Sequence, residues 1–417
     1  MPESNTRVPV TILTGYLGSG KTTLVNHILT DKSHGKKIAI IENEFGDVGI
    51  DDALMAKNAK EQVEEEIVEM MNGCICCTVR QDLVVVLKKF SDRIRAGTLK
   101  LDAVLIETTG MADPAPVAQT FFVDDDVQKH FTLDGIVTLI DAKHIEQHLD
   151  DPRPEGVENE AVEQVAFADR LVLNKTDLVT AEELTVVEER LRGINSFAPV
   201  VKTEYGKVEV KNVLNIGAFD LDRTLEMDPE FLNVDGEHEH DDSVTSLGID
   251  VEGSVDMDAI QEWLSPLLQE KGNDLYRMKG VLSVDGADQK YVYHAVHMIF
   301  QSDFTDPWGD EPRGCKLMFI GKNLDPVALK ASFNLCLANE ENRKRRLDAL
   351  RFTVGDAVEC NVGRNKWAKG KVVKLRYRDE SFPPGLFAPY QIQLDKSEGG
   401  DLIYAPCDEQ DVIRASS

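Results

Sequence analysis

The sequence has no run of about 18 consecutive apolar residues, the minimum for a helix that crosses a membrane, so a helical membrane protein is excluded. Its start, Met1 to Val10, carries neither a basic leader nor an apolar segment, and the expected location is cytoplasmic. Cysteine is scarce, at seven residues in 417, odd in number and unevenly spread. That excludes a secreted disulfide framework and predicts thiols in a reducing compartment. Basic charge is also short: 46 Lys and Arg stand against 74 Asp and Glu, a net of −28. Phosphate polymers and anionic lipid would be repelled, so neither nucleic acid nor a membrane is an expected partner, and cationic partners fit better. There is no internal repeat.

What is present is aliphatic material for a sizeable core, with 42% hydrophobic and 29% charged residues. The chain exceeds what one core usually serves, which predicts two or three domains. From the start to about Gly206, apolar runs bounded by turn residues alternate with helix-period stretches, the pattern of a parallel sheet with crossover helices. The predicted strands are Val8 to Leu13, Lys37 to Ile41, Ile67 to Met71, Leu101 to Ile106, Gly135 to Ile140, Arg170 to Leu173 and Pro199 to Thr203. Helical patterns include Thr22 to Leu29, Thr78 to Ile94 and Glu182 to Ile194. The expected fold is α/β: a doubly wound P-loop domain over 1–219, an acidic linker over 220–244, a small α+β domain over 245–340, and an all-β barrel of the SH3 or Tudor kind over 350–417.

The linker assignment follows from charge. Residues 220–258 hold fourteen acids and one Arg, a net of −13, which favours solvation over packing; His238 and His240 within them could hold a metal loosely. Beyond them the pattern predicts a strand (Leu247 to Val251), a helix (Met257 to Gln269), three strands (Leu275 to Val284, Lys290 to Phe300, Cys315 to Ile320) and a helix (Pro326 to Asn339). His294 and His297 would sit on opposite faces of one strand. Arg343 to Arg346 reads as a basic hinge. In the barrel, Trp367, Tyr377, Phe387 and Tyr390 are candidates to line an aromatic groove for a peptide. Residues 341–380 carry a net of +6, which could hold the barrel against the acidic stretch. Isolated Cys315, Cys336, Cys360 and Cys407 are expected to be buried thiols.

Gly15-Tyr16-Leu17-Gly18-Ser19-Gly20-Lys21-Thr22, with Thr23 following, matches the phosphate-loop pattern and lies between a predicted strand and helix. The glycines let main-chain N–H groups close on phosphate oxygens, Lys21 reaches the outer phosphates, and the Thr22 hydroxyl is placed for Mg²⁺. Asn174-Lys175-Thr176-Asp177 follows another strand. An Asp carboxylate can accept from two adjacent guanine donors that adenine lacks, so Asp177 is the candidate guanine reader, with Lys175 along the base and Asn174 pinning the loops. Glu107-Thr108-Thr109-Gly110 ends a further strand, where nucleotide hydrolases keep an acid near Mg²⁺ and a glycine near the γ-phosphate. Glu107, Gly110 and Lys21 are the candidate catalytic residues.

Cys74, Cys76 and Cys77 fall within four residues, between a predicted strand and a helix whose start is marked by Thr78 and Gln81. Thiols at a helix N-terminus ionise readily, and three of them form a soft set suited to zinc or copper(I). A buried thiol patch and a Cys74 to Cys77 redox pair are the alternatives.

These motifs, with Glu42-Asn43-Glu44-Phe45-Gly46 and Glu107 to Pro114, in this order, resemble the CobW-type metallochaperone GTPases, whose relatives serve urease and hydrogenase nickel insertion. The likeness covers about residues 8 to 340, including Tyr276 to Gly280 and Asp306 to Asp310; the C-terminal unit lies outside it. It implies GTP and GDP as nucleotides, Mg²⁺, and zinc or another divalent transition metal held by Cys74, Cys76 and Cys77, with Glu42 or Glu44 in a switch segment near both metals. It further implies a client metalloprotein as partner. Members serving methionine aminopeptidase carry a Cys-Pro-x-Leu-Val-Pro motif before the first strand, of which only Val8-Pro9-Val10 remains. Two functions follow: hydrolysis-controlled transfer of metal to a client, or activation of a metalloenzyme by contact without transfer.

Overall fold

Val8–Thr14 (β1) is buried along its last five residues, as an apolar strand covered on both faces must be. The computed structural model describes residues 7–43, 66–70, 77–153, 159–219, 244–272, 274–297, 299–363 and 366–416. Around β1 lie the parallel strands β2 (Ile38–Asn43), β3 (Glu66–Met70), β4 (Ala103–Glu107), β5 (Phe131–Asp141), β6 (Arg170–Asn174) and β7 (Val200–Lys202), in the order β3-β2-β4-β1-β5-β6-β7. The chain winds out to β3, returns in β4, and continues on the other side of β1. The winding therefore reverses at β1, and the crevice beyond the carboxyl ends there is where such sheets bind ligands.

Alternation along the strands builds two cores. Val10, Ile12, Ala39, Ile41, Val104 and Ile106 belong to one cluster, and Leu13, Ile38, Ile40, Ala103 and Leu105 to the other. Helix α1 (Lys21–Thr30) covers the second through Leu24, Val25 and Ile28. Helices α2 (Cys77–Arg95) and α3 (Ala115–Val123) cover the first. Short helices α4 (Asp125–Gln128) and α5 (Ile145–Leu149) follow, then α6 (Glu160–Phe167) and α7 (Ala181–Ile194). Each fully buried Leu or Ile contributes about 1.5–3 kcal/mol, so the doubly wound arrangement is set by these two apolar faces.

A second sheet, antiparallel, has the order β11-β10-β9-β12-β8, from β8 (Val244–Glu252), β9 (Leu275–Ser283), β10 (Gln289–Val296), β11 (Ile299–Pro307) and β12 (Gly314–Lys322). Helices α8 (Met257–Lys271) and α9 (Pro326–Asn334) pack on one face through Ile260, Trp263 and Phe333. The other face joins the first core: in β12, Leu317 and Phe319 face the helices while Met318 and Ile320 belong to the cluster of the parallel sheet. The expected single strand Lys290 to Phe300 is two strands, reversing between Val296 and Ile299. His297 takes a positive φ of 51° at the reversal, which a run of apolar residues without Gly or Pro did not signal. His297 thus sits in the turn, while His294 alone stays in a strand, buried.

The third sheet runs β16-β15-β14-β13-β17, from β13 (Ala357–Asn361), β14 (Trp367–Tyr377), β15 (Ala388–Leu394), β16 (Leu402–Ala405) and β17 (Ile413–Ala415), around Val358, Val372, Tyr390, Ile392 and Ile413. The expected basic hinge is helix α10 (Glu340–Asp348), N-capped by Asn339; the predicted helix to Asn339 ends instead at Asn334. Its Arg346 donates to Glu262 at 3.1 Å and its Arg343 pairs with Asp285 at 2.9 Å, so half of the basic run is taken up by carboxylates of the second unit. Arg376 of β14 bonds Asp256 and, at 2.7 Å, Asp285. Asp256 lies in the acidic stretch, so opposite charge does hold the barrel, through the part of that stretch that forms β8 (Val244–Glu252) and, at Asp256, the cap of α8, and not through a linker. Residues 220–243 lie outside the described residues.

The seam between the first two units is ionic as well as apolar. Buried Asp169, just before β6, accepts from Arg277 and, at 2.6 Å, from Lys279 of β9, and takes the Ile136 N–H at 2.9 Å. Burial works to raise the Asp169 carboxyl, but the two cations offset it and hold it below the usual range. His294, against the same cations, is kept neutral by burial. Removing one partner of such a buried set leaves an uncompensated charge. Asp169→Asn, which leaves Arg277 and Lys279 buried without their anion, should therefore cost about 3–5 kcal/mol in denaturant unfolding, and adding Arg277→Met should recover part of that loss; equal stability of wild type and Asp169→Asn would refute the role.

Candidate nucleotide and metal site

The loop from Gly15 to Lys21 leaves β1 at the winding reversal. Gly15, Gly18 and Gly20 take φ of 145°, 78° and 105°, which side chains disfavour. Space forbids substitution too: a Cβ on Gly15 would lie 2.2 Å from the Leu139 carbonyl oxygen, and one on Gly20 2.7 Å from Asn174 Nδ2. Lys21 opens α1 and curls over the loop, its Nζ donating to Gly15 O at 2.7 Å and Tyr16 O at 3.4 Å. Burial pushes the Lys21 ammonium below the usual lysine range, and nearby Glu107 counteracts this. Tyr16 stacks on His148 at 4.0 Å between ring centroids. Leu17 is exposed, Ser19 buried and Thr23 exposed.

Glu107 ends β4, in register with Leu13 on one side and Glu42 on the other. The Thr22 hydroxyl donates to Glu107 Oε1 at 3.5 Å. A hydroxyl and a carboxylate at the mouth of a phosphate loop are hard oxygen donors, the kind Mg²⁺ takes. After Glu107 the chain crosses the loop. Thr108 N–H donates to Leu13 O at 2.9 Å, and at Gly110 a Cβ would lie 2.7 Å from Leu17 N. Gly110 is thus pressed onto the phosphate loop by a contact only glycine permits. Buried Gln164 of α6 donates to Gly110 O at 3.3 Å and Ala112 O at 3.1 Å, a contact that the sequence reading missed because a lone Gln in a helix carries no motif.

On the other side of β1, Asn174 ends β6 and is buried. Its Nδ2 donates to Ser19 O at 2.9 Å and its Oδ1 accepts from Gly206 N–H at 3.0 Å, so the expected pinning of loops is present. Lys175 sits at φ 60° and bonds Asp141 Oδ2 at 2.7 Å. Asp141 ends β5 and also receives His144 at 3.0 Å. Burial works to raise its carboxyl, but Lys175 and His144 hold it below the usual range. Asp141 was not singled out from sequence; its position at a strand end beside Asn174 was the available signal. Asp177 lies exposed in the 3-10 turn Thr176–Leu178, clear to meet a base.

Of the expected metal residues, Glu44, Cys74 and Cys76 lie outside the described residues. Helix α2 starts at Cys77, one residue before the expected cap at Thr78; the side chains of 77–82 are likewise outside. The described chain leaves β3 at Met70 and resumes at Cys77. Edge strand β3 aligns Glu69 with Glu42 and Met70 with Asn43. Register therefore places Glu42 between the strand that leads to the cysteines and the strand that ends in Glu107. Among the described residues no cluster of three His, Cys, Asp or Glu can hold a metal, and no helix is long and apolar enough to cross a membrane. The isolated Cys315, Cys336 and Cys360 are buried, and burial pushes their thiols up to about 12, 12 and 11; Cys407 is only half-buried.

Comparison with known proteins agrees with this arrangement. Residues 9–202 match the CobW/HypB/UreG nucleotide-binding domain, and residues 244–337 match the cobalamin synthesis protein cobW C-terminal domain; the third sheet follows both. The zinc chaperone YjiA of Escherichia coli is 35% identical over 326 residues, covering 78% of this chain and 98% of that protein. A zinc-regulated GTPase metalloprotein activator 1 of Schizosaccharomyces pombe is 34% identical over 358 residues, 79% of this chain and 83% of that one. The crystal structure of zinc-bound YjiA GTPase superposes with a TM-score of 0.62 at 30% identity, over 79% of this chain and 99% of that one. With the phosphate loop, the Gly110 contact and the Asn174 bridge in place, the chain belongs to the CobW/HypB/UreG family and is a P-loop GTPase.

Proposed function

We propose that this GTPase is a metallochaperone that captures a divalent metal, zinc foremost, on Cys74, Cys76 and Cys77 and passes it to a client metalloprotein under control of GTP hydrolysis. The observation that carries the reading is the register of Glu42 between β3 and Glu107. Metal and phosphate chemistry then share one sheet edge, with strand β2 between them. The names of the relatives favour zinc. Three thiolates suit a borderline-soft ion, and a carboxylate such as Glu42 or Glu44 can supply the fourth ligand.

In this reading GTP lies along the carboxyl edge. The N–H groups of residues 15–20 take the phosphates and the Lys21 ammonium leaves Gly15 O for phosphate oxygen; Thr22 and Glu107 would hold Mg²⁺, whose charge would offset that of the outer phosphates. Gly110 offers its N–H to the γ-phosphate and shifts when that phosphate is lost. Asp177 accepts from guanine N1–H and the exocyclic amine, while Lys175, steered by Asp141, lies along the base. Hydrolysis relaxes the Glu107 to Pro114 segment and, through β2, the metal site.

The barrel is read as the docking module for a peptide or protein ligand, with corrected residues. Tyr390 fills the core, Arg376 lies 3.8 Å over the Phe387 ring, and Arg414 lies 3.7 Å over Trp367. Of the expected groove Tyr377 remains, with exposed Lys374 more loosely placed at 5.7 Å from its ring, joined by Phe382 and the half-exposed Tyr404 at centroid distances of 5.8 and 6.4 Å. Asp379 accepts the Tyr377 hydroxyl at 2.8 Å, so these rings carry a carboxylate beside them and favour a cationic segment.

Three measurements test these roles. Asp177→Asn should weaken GTP binding by about 2–4 kcal/mol relative to ATP, the scale of an unpaired recognition group; a wild type that binds ATP and GTP equally would refute guanine reading. Replacing Cys74, Cys76 and Cys77 together by Ser should abolish tight zinc binding in competition with a chelator, since neutral hydroxyls are poor zinc ligands. Retained tight binding would move the metal elsewhere. In the full chain, Phe382→Ala with Tyr404→Ala should lose a protein captured by wild type while GTP turnover stays unchanged, and undiminished capture would discard the aromatic face.

A further inference from the structure

Helix α6 has only eight residues, yet it is fixed at both ends. Asn159 caps it, accepting from Ala161 N–H at 2.9 Å and anchoring back to His148 O and Leu149 O through its amide. At the other end Asn195 donates to Val165 O, Ala166 O and Ala168 O, and Arg277 of β9 to Phe167 O. Midway, the Gln164 carbonyl accepts the Thr138 hydroxyl at 2.6 Å, which ties the helix to β5. A side chain on this helix therefore has little freedom.

Gln164 is 1% exposed, and its amide nitrogen donates to Gly110 O and Ala112 O, at 3.3 and 3.1 Å. Those two carbonyls belong to the turn that lies on the phosphate loop, where Gly110 meets Leu17 without room for a Cβ. No other side-chain donor reaches these two carbonyls among the described hydrogen bonds. A buried carbonyl deprived of its donor is costly, so the turn is set by where Gln164 stands. Neighbouring Glu163 is buried as well: burial, with Asp113 of the same turn and Glu160, pushes its carboxyl up to about 7.

We propose that Gln164 is a positioning residue for GTP hydrolysis, holding the Gly110 to Ala112 turn against the phosphate loop from a helix that is itself immobilised. It need touch neither nucleotide nor water. A catalytic geometry held by a rigid supporting shell is lost when that shell loosens, even where binding survives. The proposal rests on the GTPase activity and on no part of the metal reading.

The test uses the full chain with three substitutions. Gln164→Leu removes the amide, Gln164→Glu keeps the shape but turns oxygen toward both carbonyls, and Ile260→Val, in the core of the second sheet, lowers stability without touching α6 or the turn. Both Gln164 variants should lower kcat by about tenfold or more, keep the KM for GTP within about threefold, and lose most of the preference for a non-hydrolysable GTP analogue over GDP. Ile260→Val should lower the Tm but leave kcat and that preference near wild type. Wild-type kcat in a folded Gln164→Leu would overturn the proposal, as would a loss in Ile260→Val as large as in the Gln164 variants. Should Gln164→Leu not fold, Gln164→Met, unbranched and of similar length, is measured in its place.

Discussion

One buried amide, that of Asn174, joins the two halves of the nucleotide site. Its nitrogen holds Ser19 of the phosphate loop and its oxygen holds Gly206 beyond β7, so it spans the carboxyl ends from β1 to β7. Without it, the phosphate loop and the turn that carries Asp177 would be neighbours only through the sheet. The bridge also explains why Gly20 has to be glycine, since a Cβ there would collide with this same amide. A loop that accepts phosphate from one side is thereby braced from the other. The same logic applies at Gly110, where a missing side chain lets the second turn settle on Leu17. Tight backbone approach, fixed by buried amides from β6 and α6, is what the site depends on.

The three sheets are joined by buried or half-buried carboxylates shared between cations. Asp169 takes Arg277 and Lys279 from the second sheet, and Asp256 with Asp285 takes Arg376 from the third. Such groups add little net stability compared with apolar packing, but a misplaced partner leaves a buried charge, so they favour one arrangement over others. Phe219, whose ring lies about 5 Å from both Arg277 and Lys279, closes the first seam. The nucleotide site is consequently mounted on a body whose second unit grips α6 at Phe167 O.

Much of this was legible in the residues. The phosphate loop, Asn174 and Glu107 stand where motif and strand period put them, because apolar runs flanked by glycine encode a parallel sheet directly. The hairpin of β10 and β11 was missed since its turn is made by His297 at positive φ instead of Gly or Asn. The basic run 343–346 resembled a hinge because charge alone does not reveal that Glu262 and Asp256 wait opposite it. Gln164 and Asp141 were invisible for a related reason: their importance lies in partners more than twenty residues away. Among the barrel aromatics, Tyr390 went to the core and Trp367 to Arg414, a division that alternation in short strands cannot assign.

In the proposed cycle metal and γ-phosphate act on one sheet edge through Glu42 and Glu107, so their binding is thermodynamically coupled and each tightens the other. The direct measurement is zinc affinity of the full chain by chelator competition, with a non-hydrolysable GTP analogue and with GDP. Zinc should bind more tightly in the GTP state by about 1–3 kcal/mol, the usual scale of such coupling, and should tighten the analogue equally. Identical zinc affinity in both nucleotide states would contradict this coupling.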